Sequence, residues 1–126
     1  MNQHTIEKTV SIKGIGLHTG KESTLTFHPA PVNHGFKFKR TDLEKPKVIP
    51  VDPAKVIDTN RSTTIASGAI KVQTIEHVLS ALVGLSLDNV LLEIDGEEVP
   101  ILDGSAAKIV NALEKAGRVG QEMARD

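Results

Sequence analysis

Glu76 and His77 stand side by side in the stretch Thr74-Ile75-Glu76-His77-Val78-Leu79-Ser80-Ala81-Leu82. An imidazole can ligate a metal ion, and a carboxylate beside it can take a proton from a bound water. Together they are the groups that metal-assisted hydrolysis uses. In a helix of roughly 3.6 residues per turn, adjacent side chains point about 100° apart. In a first turn that faces a cleft, both still reach one bound water. No H-E-x-x-H pattern is present, so the two-histidine helical metal motif is absent. A lone histidine on a helix is more often a surface or satisfied polar residue than a ligand, and these residues alone leave both readings open.

The element that positions the pair is an amphipathic helix. Ile75, Val78, Leu79 and Leu82 recur at i, i+3, i+4 and i+7, one apolar stripe at helical period. Thr74 is placed to cap it, since a hydroxyl there can accept a bond from an unpaired N–H. His77, Ser80, Ala81 and Gly84 share a second face of small and polar groups, open to a ligand or a partner surface. Gly84-Leu85 marks the end of the helix.

The 126 residues are enough for one domain with a real core. Fifteen basic and 16 acidic residues leave a formal charge of −1, which argues for neither nucleic acid nor an anionic membrane as partner. Three Phe with no Trp or Tyr leave little for base stacking. Without cysteine, no disulfide or thiolate zinc site can form. Met1 to Thr5 has no apolar run behind it and does not read as a signal peptide, and no stretch approaches the ~20 apolar residues of a membrane span. A cytoplasmic protein is expected.

Along the chain, Thr9 to Lys13 and Ser23 to His28 alternate as half-buried strands do. Between them, Gly14-Ile15-Gly16-Leu17-His18-Thr19-Gly20 puts three glycines in seven residues. Such a loop either joins a hairpin or cradles an anion with its N–H groups. Pro29-Ala30-Pro31 and Asn33-His34-Gly35 turn the chain, with His28 and His34 expected in solvent. Phe36 to Arg40 is a third strand, and Asp42 to Pro53 is a Pro-containing loop with short extended pieces. Ala54 to Asp58, Ser62 to Ala66, Ile70 to Gln73 and Val90 to Ile94 are further strands. Ser105 is placed to cap a second helix with the stripe Ala106, Ile109, Val110 and Leu113, ended by Gly117. Residues 118–126 are polar without period and are expected to fray. The order predicts an α+β, two-layer sandwich: a mixed sheet covered on one face by two helices.

Seven segments in register then resemble one family. They are Gly14 to Gly20, Pro29-Ala30-Pro31, Arg40-Thr41-Asp42-Leu43, Asp58-Thr59, Thr74-Ile75-Glu76-His77, Leu87-Asp88-Asn89 and Pro100-Ile101-Leu102-Asp103-Gly104-Ser105-Ala106. The family is UDP-3-O-acyl-N-acetylglucosamine deacetylase, the zinc amidase of lipid A biosynthesis, and the match is to its N-terminal half. The resemblance implies a ribosomal-protein-like α+β fold and a two-domain hydrolase with zinc between the domains. It implies that His77 is one of three zinc ligands and Glu76 the general base. It also implies that Leu17, His18, Arg61, Ser62 and Thr63 border the active site, and that Asp103 is structural, capping the second helix with Ser105. The substrate implied is UDP-3-O-acyl-N-acetylglucosamine.

The departure from the family is at the far end. Its other two zinc ligands, its catalytic His acid and the insert that shapes the acyl-chain tunnel have no counterpart here. Residues 1–117 are therefore expected to be the first domain, with 118–126 as tail or start of a linker and the second domain missing. Such a chain is expected to be inactive alone and to self-associate through its uncovered helical layer. A non-catalytic sugar-nucleotide or protein-binding module of the same fold is the alternative.

Overall fold

The computed structural model describes residues 2–51, 56–58, 63–100 and 107–125. In chain order the strands and helices are β1 (Asn2–Ile6), β2 (Val10–Ile15), β3 (Glu22–Pro29), β4 (Phe36–Arg40), β5 (Lys47–Pro50), β6 (Val56–Asp58), β7 (Thr63–Ser67), β8 (Ile70–Gln73), α1 (Glu76–Gly84), β9 (Val90–Ile94), α2 (Ala107–Ala116) and β10 (Arg118–Ala124). The α+β class and the two-helix layer agree with the sequence expectation.

The main sheet has five strands in the order β2-β3-β9-β4-β5. It is mixed, because β4 runs parallel to β9 while its other pairs are antiparallel. Alternation along each strand sends one set of side chains to a single face. The register lines up Val10, Phe27, Leu92, Phe38 and Ile49 across all five strands. The last four are buried. Each fully buried side chain of this size contributes roughly 1.5–3 kcal/mol relative to exposure. A second sheet, β6-β7-β8, is an antiparallel meander that leads into α1.

The helices lie on the apolar face. α1 buries Val78, Ala81 and Leu82, and Ile75 just before it is buried as well. α2 buries Ile109, Leu113 and Ala116 and packs on β2 and α1. Gly117 takes φ +79° and donates to Leu113 O, as a C′ glycine should. A left-handed residue also ends α1, without a glycine and with the Schellman pair of bonds. Ser86 takes φ +57°, its N–H bonds Val83 O, and Leu87 N–H bonds Leu82 O. The paired contact of that motif is supplied by buried Leu87 and Leu82.

Four expectations are corrected. Residues 118–124 do not fray: they form β10, antiparallel to β1, a strand that the polar N-terminus gave no sign of. The backbone ladder pairs them, Ile6 of β1 joins the apolar core, and side-chain amides bond around the pair. Asn89 Nδ2 donates to Gln3 Oε1 and Gln121 Oε1, and Gln3 Nε2 donates to Asn33 Oδ1. Thr74 is not a side-chain cap: Ile75 holds the N-cap position with no side-chain bond, and the Thr74 hydroxyl points elsewhere. Ala81 belongs to the buried face at 2% exposure, leaving Ser80, Val83 and Gly84 outward. His28 and His34 are half-buried, with His28 Nε2 2.6 Å from Glu93 Oε1 and His34 Nδ1 2.9 Å from Gly35 O. Among the described residues no helix is long and apolar enough to cross a membrane. Arg61, Ser62, Asp103 and Ser105 lie outside the described residues.

Candidate functional site

The first turn of α1 carries Glu76 and His77, both half-buried. The turn is held from β7. Thr63 N–H donates to Glu76 Oε2 at 3.2 Å, and Ile75 N–H donates to Thr63 O at 3.1 Å. Thr63 thus meets both the backbone before the helix and the carboxylate in its first turn. The His77 ring makes no hydrogen bond among the described residues. Among those residues no set of three His, Asp or Glu side chains converges to hold a metal ion. A catalytic zinc site takes three protein ligands. The described residues fit one ligand position of such a site and do not by themselves complete it.

The glycine-rich loop joins β2 to β3 as a hairpin, closed by Gly16 N–H to Lys21 O at 2.9 Å and Gly20 N–H to Gly16 O at 3.0 Å. It also cradles an anion, and the anion is the chain's own Glu98. The Glu98 carboxylate is 2% exposed. Its Oε1 accepts from Thr19 N–H at 2.8 Å and His18 N–H at 3.0 Å. Its Oε2 accepts from the Thr74 hydroxyl at 2.7 Å and from His18 N–H at 3.1 Å. Burial pushes this carboxyl up, but the bonds from Thr74, Thr19 and His18 outweigh it and hold it below its ordinary range.

The loop therefore turns its N–H groups inward and its side chains outward. Leu17 is 58% exposed and His18 is exposed too. Of the residues expected at the site, Glu76 and Thr63 touch directly. His18, next to Leu17, is linked to Thr74 just before α1 through Glu98. Glu98 is not among the residues expected at the site; Asp95-Gly96 before it signals only a turn. The only hint was a loop rich in donors with no anion assigned to it.

Two more carboxyls share the direction of Glu98. The Arg40 guanidinium lowers Asp42 by a two-pronged bond, partly opposed by burial. Burial raises Asp88, but bonds from Arg125 and His4 N–H bring it below its ordinary value. A carboxyl depressed in the fold stabilises it above its unfolded value and loses that contribution as pH falls through the folded one. The urea midpoint is thus expected to be flat near neutrality and to drop below about pH 4. A midpoint unchanged from pH 6 to pH 3 would show that these carboxyls are not held as described.

Comparison with known proteins bears on the whole described fold. The chain is 45% identical over 125 residues to the UDP-3-O-acyl-N-acetylglucosamine deacetylase of Myxococcus xanthus, covering 99% of this chain and 40% of that protein. It is 48% identical over 124 residues to the protein of the same name from an Anaeromyxobacter species, covering 98% of this chain and 40% of the relative. It is also 48% identical over 122 residues to a protein of Chlorobaculum tepidum named bifunctional enzyme LpxC/FabZ, covering 97% of this chain and 26% of that protein. The chain thus spans about 40% of the length of the first two relatives. The family model for UDP-3-O-acyl N-acetylglycosamine deacetylase matches residues 3–126, and the chain belongs to that family.

Proposed function

We propose that this chain is the first domain of a zinc-dependent amidase that removes acetate from UDP-3-O-acyl-N-acetylglucosamine in lipid A biosynthesis, in the cytoplasm. The observation that carries the reading is the Glu76-His77 pair on a clamped first turn, with an imidazole that makes no hydrogen bond among the described residues beside a held carboxylate. His77 supplies one metal ligand. Glu76 is the base that takes the proton of the attacking water. Zinc, when bound, would polarise the amide carbonyl and acidify that water. Thr63 keeps the Glu76 carboxylate in place by its N–H, while Leu17 and His18 form a rim. The other two ligands come from the part of the relatives that lies beyond this match.

The chain by itself is expected to turn over no acylated UDP-sugar and to hold zinc weakly. Zinc titration followed by calorimetry, with an amine-release assay, checks both. Tight one-to-one zinc with turnover would overturn the two-domain reading.

A further inference from the structure

We propose that Glu98 is a positioning residue: its carboxylate locks the Leu17-His18 rim to the start of α1 and so fixes the rim relative to Glu76 and His77. This rests on the reading of that pair as the reacting end. The hairpin's own bonds, Gly16 to Lys21 and Gly20 to Gly16, tie the loop only to itself. Glu98 ties it to another element, because one carboxylate accepts from two loop N–H groups and from Thr74.

Two further features meet at the same point. Thr74 sits at φ +64°, a left-handed conformation that a β-branched residue rarely adopts. That conformation accompanies a hydroxyl aimed at Glu98 Oε2. A Cβ on Gly16 would clash with Glu98 Oε1 and lie 2.7 Å from Thr19 Oγ1. A strained threonine, a glycine with no room for a side chain and a nearly fully buried carboxylate all serve one geometry. The Glu98 side chain sits among these donors.

The test uses the 126-residue chain and amide hydrogen exchange. Glu98→Gln keeps the shape but turns an NH₂ toward one donor. Exchange at His18 and Thr19 should accelerate by about tenfold or more, since bonds to a charged acceptor are among the stronger ones. Leu25 and Phe27 in β3 should keep wild-type protection. Thr74→Val should leave His18 and Thr19 protected while shifting the resonances of Ile75 and Glu76. Gly16→Ala should mimic Glu98→Gln without altering the carboxylate chemically. Unchanged exchange at His18 and Thr19 in Glu98→Gln would overturn the proposal. So would protection lost evenly through β3, which marks a merely structural group.

In a chain continued through the length of its relatives, Glu98→Gln should lower kcat/KM at unchanged zinc content. Loss of zinc in step with activity would count against it. If the wild-type continued chain shows no turnover, the deacetylase reading fails, and the exchange data still decide the role of Glu98.

Discussion

Glu76→Ala, in a chain continued through the length its relatives span, is expected to lower kcat by about 10²–10⁴-fold while leaving zinc content near normal. The expectation follows from the proposed division of labour, in which the carboxylate moves a proton and the imidazole holds the metal. His77→Ala should instead lose metal, and activity with it. Glu76 also accepts the Thr63 N–H at 3.2 Å, so alanine removes a clamp along with a base. Glu76→Gln separates the two, because its carbonyl oxygen can still accept that bond. If glutamine loses as much activity as alanine, the proton matters; if it restores most of it, the clamp does. Metal analysis of all three variants completes the comparison. Equal zinc loss in the Glu76 and His77 variants would mean that the assigned roles are wrong.

Phe38→Ala is expected to destabilise the domain by about 3–5 kcal/mol. Phe38 is fully buried in β4, opposite Leu92 on one side and Ile49 on the other, both also fully buried. The strands on both sides hold its backbone, so the neighbours have little freedom to close the gap. Against a total stability of roughly 5–15 kcal/mol, such a loss approaches unfolding at 37 °C. Urea denaturation measures it through the midpoint at constant slope. A loss under about 1 kcal/mol would show that the gap does collapse, and that the row across the sheet is not the centre of the core.

What the sequence disclosed, and what it hid, divides along the kind of contact made. Leu25 and Phe27, Val90, Leu92 and Ile94, and the stripe Ile75, Val78 and Leu82 are buried by apolar side chains at a strand or helix period, which the sequence displays. β1 and β10 pair through their backbones, flanked by bonds among Gln3, Asn33, Asn89 and Gln121. Amides at those positions look like solvated loop until their partners, from distant parts of the chain, are known. Thr74 matched a helix cap by type and spacing, yet its left-handed backbone turns the hydroxyl toward Glu98 instead. The site divides in the same way. Glu76 and His77 were visible as chemistry. Glu98 was hidden because two of its donors are backbone N–H groups, which every residue but proline carries and no sequence marks.

The pairing of β1 with β10 sets an order on the birth of the molecule. Asn2 opposes Ala124 and Ile6 opposes Arg118, so the first of the described strands is laddered to the last of them. A ribosome builds from the N-terminus, so the edge of β1 that meets β10 has no native strand beside it until β10 has emerged, while His4 O and Thr5 already have Asp88 and Asn89 to meet. Until then that edge of β1 is unpaired. Its polar composition, Asn2-Gln3-His4-Thr5 before a single Ile6, gives a waiting edge little apolar surface with which to join another nascent chain.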